Sequence, residues 1–536
     1  MLGVVAVEFY QCLVVVGSWQ NSFFPGKMTA CQIFCILVIR LSLSKKLICL
    51  VNTMCKFFSP SAACGGEREM DWGHPKPRQG LPPLHPAQKH LHIGLVKKEV
   101  DVEMDVQDPL TITAPAEDSS LPAPGTSVEG MGTKQPGWRA RLTPWVQAAV
   151  AVLPAFLLTR FIFLLLTYFG SVLFTVRNYS YQVVPLSSVL RSWYHWDVIS
   201  FENIATRGYV YRDNAAFFPL YPLLEREVSA LLHIHTNVFL GGMLITNLAF
   251  FGALIVLYRF VEVEFDRATA GRATLYLGIF PTALFFFAAY NEALFLFFML
   301  LSFYAMRQGS WWLAGLSGGL AALTRSIGLA LLLVFLYEFA RQVFPALRET
   351  WRDKRRVQGF KLLAGLLAAP LIPLGLGIYA YYLNLRFHDP LAFSHAQAHW
   401  HLGLSVPWYS PVTAMRAMLT FSPFTFSTTH NIIDLTALLL FVTLLIFCFI
   451  GPERFATGQW SMLLFGIMVL ALPLLYPGTA YNPMPSMERY VLEVFPGFIL
   501  LARLGRRSWF HQGYLMLSLP LLAFFTLQFL TGHWTI

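Results

Sequence analysis

Beyond Trp138 the chain passes through one apolar stretch after another, many of them close to the length that crosses a bilayer. A helix needs about 20 predominantly apolar residues to span the hydrocarbon core. Candidate spans fall near 145–174, 237–258, 271–289, 292–306, 311–323, 327–343, 361–385, 432–450, 461–476, 490–504 and 513–531. In lipid every backbone polar group must be satisfied internally, and runs this long do so as helices. The expected fold is therefore an all-α polytopic membrane protein with about 10–11 transmembrane helices. Several runs are short for a full span, which is tolerated where protein and not lipid walls them in.

Composition points the same way. Of 536 residues, 56% are hydrophobic and only 13% charged, and the mean hydropathy is +0.54. A soluble globular chain carries nearly twice that share of charge. The formal charge of +10 excludes little by itself, but in a membrane protein an excess of Lys and Arg marks cytoplasmic loops and does not call for nucleic acid. With the N-terminal side cytoplasmic, the inner loops hold Arg139 and Arg141, then Arg259, Arg267 and Arg272, then Arg307, and then the run from Arg348 to Lys361. Arg454, Arg503, Arg506 and Arg507 follow suit.

Three regions differ in character. Residues 1–64 are apolar and hold six of the seven cysteines, of which Cys31 and Cys35 lie four apart in an apolar run. No second Cys or His pair stands at zinc-ligand spacing, so these read as buried thiols. This segment is either a membrane anchor or an over-extended start, since Met70, Met104 and Met131 are alternative starts. Residues 65–138 are polar and rich in Pro and Gly, the composition of a disordered cytosolic linker. Residues 139–536 form the multi-pass membrane domain.

The chosen orientation gathers the notable polar residues on the non-cytosolic side. The first outer loop, 175–236, carries HWD at 195–197, RGY at 207–209 and AFFPLYP at 216–222. Later outer turns carry YNEALF at 290–295, TRSIG at 324–328, HAQAHWH at 395–401 and PSMERY at 485–490. Charges at the ends of spans are costly to desolvate, so their clustering on one face is by default a functional-site hypothesis.

HWD followed by RGY and AFFPLYP, with YNEALF, TRSIG and a late ERY, resembles the PIG-V family, the GPI mannosyltransferase 2 group of membrane-embedded GT-C glycosyltransferases with its prokaryotic relatives. The similarity covers roughly residues 140–505. The resemblance implies a GT-C-like fold, a polyprenyl (dolichyl) phosphate mannose donor, a glycolipid acceptor presented outside the cytosol and an Asp of the first outer loop at the active centre. It also implies an endoplasmic reticulum membrane location in a eukaryote and the plasma membrane in a prokaryote. A small membrane partner subunit is left open.

Transfer of this kind needs a carboxylate to take the acceptor hydroxyl's proton, and cations or oriented dipoles for the departing lipid phosphate. Asp197 fits the first need. If 196–206 is helical, Asp197 shares a face with Ser200 and Phe201, and Glu202 lies about 140° away, as a surface residue or partner of Arg207. The alternative for Asp197 is a helix N-cap. His195, Trp196, Tyr290, Glu292, Arg325 and Arg489 are the expected substrate-binding residues. Glu292 reads alternatively as favourable charge at a helix N-terminus, Arg325 as phosphate ligand or structural partner of Glu292, and Arg489 as phosphate ligand or neighbour of Glu488. Arg160, inside the first span, should face the bundle or a carboxylate. His395, His399 and His401 lack the acid of an H-E-x-x-H helix and read as polar loop histidines, with no metal and no cofactor expected. Two other readings stay open: a GT-C transferase for another sugar or for a polymer or protein acceptor, and a transporter or flippase for a lipid-linked sugar, although no internal repeat supports the latter.

Overall fold

The computed structural model describes residues 138–174, 183–234, 236–353, 363–397 and 403–533, and the described residues form helices and turns without strands. The expectations for residues 1–64 and 65–137, and those for His399 and His401, lie outside the described residues.

The long first helix α1 (Trp138–Leu173) is followed by three short helices, α2 (Leu186–Arg191), α3 (Asp197–Arg207) and α4 (Leu220–Leu231). Next come α5 (Phe239–Glu264), α6 (Arg267–Gly278), α7 (Glu292–Arg307), α8 (Trp311–Thr324), α9 (Ala330–Arg352), α10 (Leu371–Phe387), α11 (Ala392–Gln397) and α12 (Tyr409–Thr420). The chain closes with α13 (Phe426–Phe449), α14 (Trp460–Leu474), α15 (Met487–Tyr490), α16 (Phe495–Leu504) and α17 (Ser508–Leu530).

Among the described residues, seven helical segments are long and apolar enough to cross a membrane: Leu142–Leu173, Phe239–Glu264, Ser326–Arg352, Ala364–Phe387, Phe426–Phe449, Thr457–Leu474 and Ser508–Leu530. The other four of the eleven expected spans are shorter, each for a visible reason. The run 271–289 is split: α6 stops ahead of Pro281, which has no N–H to continue a helix, and a 3-10 turn Ala283–Phe286 follows. α7 and α8 hold 16 and 14 residues, which reach roughly 24 and 21 Å at the helical rise against a hydrocarbon core of about 30 Å. Eleven side chains of α7 are buried, so its neighbours, and not lipid, provide its surroundings. α16 opens on Pro496 near its first position and is buried along nearly its whole length.

α5 is the most enclosed of the long helices, with 61% of its apolar window buried, whereas α1 buries only 22%. Close packing of α8 against the segment leading into α10 depends on glycine. A Cβ on Gly318 would sit 2.7 Å from Ile372, and a Cβ on Gly315 or Gly319 would collide with the carbonyl oxygens of Ala368 and Leu371. Such small-residue contacts bring helix backbones together in the absence of a hydrophobic driving force between them.

Candidate functional site

At the ends of α3, α7 and α8, a cavity of about 410 Å³ is walled by residues from five stretches of chain: 196–201, 216–218, 290–291, 324–327 and 485–490, joined by Phe285 and by Gln397 at the end of α11. All five lie within or beside the motifs HWD, AFFPLYP, YNEALF, TRSIG and PSMERY.

Asp197 is the first residue of α3, not its cap. The cap position falls to Trp196, which makes no side-chain capping bond and is held at φ 55° and ψ −122°. A non-glycine residue in that region carries backbone strain of about 1–3 kcal/mol, and such strain gathers at functional sites. The turn aims the Asp197 side chain at the cavity together with Ser200 and Phe201, the face expected for a helix. Its Oδ2 accepts a hydrogen bond from Arg489 Nη1 at 2.8 Å, and its side chain remains 29% exposed.

Behind the wall the charges alternate. One oxygen of Glu292, Oε1, accepts from Arg325 Nη1 at 2.8 Å and from Arg489 Nε at 2.9 Å and Nη2. Arg325 Nη1 also reaches Asn291 Oδ1 at 3.3 Å, and its Nε lies 3.1 Å from Glu493 Oε1. The order is thus Asp197, Arg489, Glu292, Arg325, Glu493, with Glu292 fully buried and Glu493 1% exposed. Aromatic faces complete the desolvation: Arg489 lies over Phe285 and Tyr290, and Arg325 over Tyr490. Buried charges must be paired, because an unpaired one costs several kcal/mol.

Of the expected site residues, Asp197, Trp196, Tyr290, Arg325 and Arg489 line the cavity. Glu292 sits beneath it, bridging the two arginines. His195 is turned away, with Phe529 at 5.8 Å and the backbone of Gly532 nearby, and burial holds its imidazole below the usual histidine range. Glu202 is neither a free surface residue nor paired to Arg207: its Oε2 accepts from the Phe239 amide at 3.3 Å. Arg489 pairs with Asp197 and Glu292 and not with its neighbour Glu488. Arg160 meets no carboxylate among the described residues; it donates to Asn247 Oδ1 at 2.8 Å and to the Phe286 carbonyl, under the rings of Phe156 and Phe250. His395 bonds Asp389, which Arg212, from the loop between α3 and α4, also holds. Hydrogen bonding from His395, reinforced by Arg212 and the Leu391 amide, keeps the Asp389 carboxyl below the usual carboxylate range.

The motifs are fastened to one another as well as to the cavity. Thr246 on α5 donates to the Tyr290 carbonyl at 2.8 Å while bonded to Tyr221 of AFFPLYP. Asn291 donates to the Thr324 carbonyl at 3.1 Å, tying the turn before α7 to the end of α8. The segment carrying Arg489 is pinned twice: Thr282 donates to the Glu488 carbonyl at 2.8 Å, and the Met487 amide donates to Asp434 Oδ1 on α13 at 2.9 Å. Sequence reasoning passed over Glu493 and Asp434. Both are acids inside expected spans, and the rule that flags intramembrane acids would have found them.

Residues 157–410 match the family model described as Mannosyltransferase (PIG-V). The expected resemblance is therefore borne out there, and the match ends before the segment that supplies Arg489. The chain is 31% identical over 208 residues to GPI alpha-1,6-mannosyltransferase 2 of Homo sapiens, covering 37% of this chain and 41% of that protein. It is 33% identical over 223 residues to GPI mannosyltransferase 2 of Drosophila pseudoobscura pseudoobscura, covering 38% and 46%. The matched part thus spans less than half the length of either relative. Among solved structures, ArnT from Cupriavidus metallidurans bound to undecaprenyl phosphate aligns with a TM-score of 0.40 at 15% identity, over 67% of this chain and 62% of that one.

Proposed function

We propose that this chain, which carries the PIG-V mannosyltransferase signature over residues 157–410, is a membrane mannosyltransferase. It moves a mannosyl group from a polyprenyl phosphate to a hydroxyl of a lipid-linked glycan, of the kind found in GPI-anchor precursors, on the non-cytosolic face of the membrane. The observation that carries this reading is the cavity itself. It brings one partly exposed carboxylate, Asp197, together with two cavity-facing guanidinium groups, Arg325 inside the matched stretch and Arg489 from the ERY motif beyond it.

In the proposed reaction the acceptor oxygen attacks the anomeric carbon and passes its proton to Asp197. The bond from that carbon to the donor phosphate breaks, and its electron pair leaves with the phosphate. Asp197 is the general base, and the guanidinium groups stabilise charge as it develops on the leaving oxygen, where fixed cations act without reorganisation.

The test is transfer by the purified protein in detergent, with labelled polyprenyl phosphate mannose, other lipid-phosphate sugars and a panel of glycolipid acceptors. Asp197→Asn keeps size and hydrogen-bonding capacity but removes the base. Turnover should fall by on the order of 10²- to 10⁴-fold, with unfolding temperature and detergent elution unchanged. Near-normal turnover in the folded variant removes Asp197 from the role. Preference for a different lipid-linked sugar would keep the reaction class and change the substrate.

A further inference from the structure

The same geometry gives Arg489 two claims on it. Its Nε and Nη2 are committed to Glu292, which is fully buried and out of a ligand's reach. Its Nη1 is bonded to Asp197, which lines the cavity and is 29% exposed. Arg325 is arranged differently: Nε faces Glu493, Nη1 faces Glu292 and Asn291, and Nη2 has no protein partner among the described residues. Because one Glu292 oxygen holds both arginines, the open Nη2 of Arg325 and the displaceable Nη1 of Arg489 belong to adjacent guanidinium groups on one cavity wall.

Asp197 in its observed position has Oδ2 engaged by Arg489 Nη1, so that oxygen is closed to an acceptor hydroxyl. A phosphate is a better partner for a guanidinium, because it offers two oxygens to the planar fork.

Resting on the mannosyltransferase reading above, we propose that the donor phosphate takes Arg489 Nη1 from Asp197, so that donor binding itself releases the base. The phosphate docks on Arg325 Nη2 and then displaces the Asp197 carboxylate from Arg489. Asp197 Oδ2, freed of Arg489, is then open to the acceptor hydroxyl just when a donor is present to be attacked. Donor therefore binds before acceptor in the productive order.

The distinguishing measurement is binding of polyprenyl monophosphate to the full chain in detergent. Asp197→Asn strips the internal competitor of its charge, so the variant should bind this probe more tightly than the wild type, by roughly three- to tenfold, although its turnover is lost. In the wild type, which avoids any question of folding, a non-reactive acceptor analogue should inhibit uncompetitively against donor. Loss of turnover with unchanged or weaker probe binding overturns the exchange and leaves the base assignment standing. Competitive inhibition by the acceptor analogue against donor overturns it too. Wild-type protein that binds no polyprenyl monophosphate overturns the lipid-phosphate donor, and the exchange with it.

Discussion

Arg325 and Arg489 look alike in the sequence, each a lone base in a short polar turn, yet their neighbours divide their work. Arg325 sits between two acids that are 1% exposed or less, Glu292 and Glu493. Arg325→Ala strips Glu493 of its cation, and breaking a buried pair by removing one partner costs about 3–5 kcal/mol. Loss of activity in that variant would therefore mix a structural fault with a chemical one. The double change Arg325→Ala with Glu493→Gln separates them: removing the orphaned charge should recover most of the unfolding temperature but not the turnover. Arg325→Lys should keep part of both, since an ammonium restores charge without the planar fork. Turnover restored along with stability in the double variant would show that Arg325 serves the fold alone.

Among the elements, α7 and α8 depart most from the usual membrane helix. They are too short to cross unaided and their burial lets them hold charged turns at their ends. Glu292 opens α7 and Arg325 follows α8, so the depth at which these helices end fixes where the charges meet. The glycines of α8 keep that depth by seating its backbone on the segment entering α10. Gly319→Ala places a methyl against the Leu371 carbonyl oxygen, whereas Gly377→Ala on α10 meets nothing within 4 Å. The first should destabilise by about 1–3 kcal/mol, the usual cost of overpacking, and lower turnover as the turn at Arg325 shifts. The second should be neutral or stabilising by up to about 1 kcal/mol, since alanine is the better helix former. Thermal unfolding of the two variants in one detergent decides it; equal behaviour would mean that α8 and α10 are not packed through Gly319.

At the scale of the whole molecule, every residue lining the cavity lies between positions 196 and 490, and the family match begins at residue 157. Removing residues 1–130 should leave transfer largely intact. Specific activity of the truncated and full-length proteins, each normalised to folded material, measures this. A folded truncation that had lost activity would give the N-terminal region a part in catalysis or in delivering substrate.

Apolar run length and the paucity of charge determined the membrane class and the helical fold, because lipid leaves a long apolar chain no other way to satisfy its backbone. Motif by motif, the sequence also carried Asp197 and its helical companions Ser200 and Phe201, since a local period of 3.6 residues places them together without any distant contact. Span number was not legible: whether a 14- or 16-residue apolar helix meets lipid or protein depends on its neighbours. Nor was the order of charges. Asp197, Glu292, Arg325, Arg489 and Glu493 come from four separate stretches, and Coulomb energy acts on distance in space, which only the packing of α3, α7, α8 and α15 sets. The same holds for His195, one residue from the cavity wall in sequence, which the strained turn at Trp196 sends the other way.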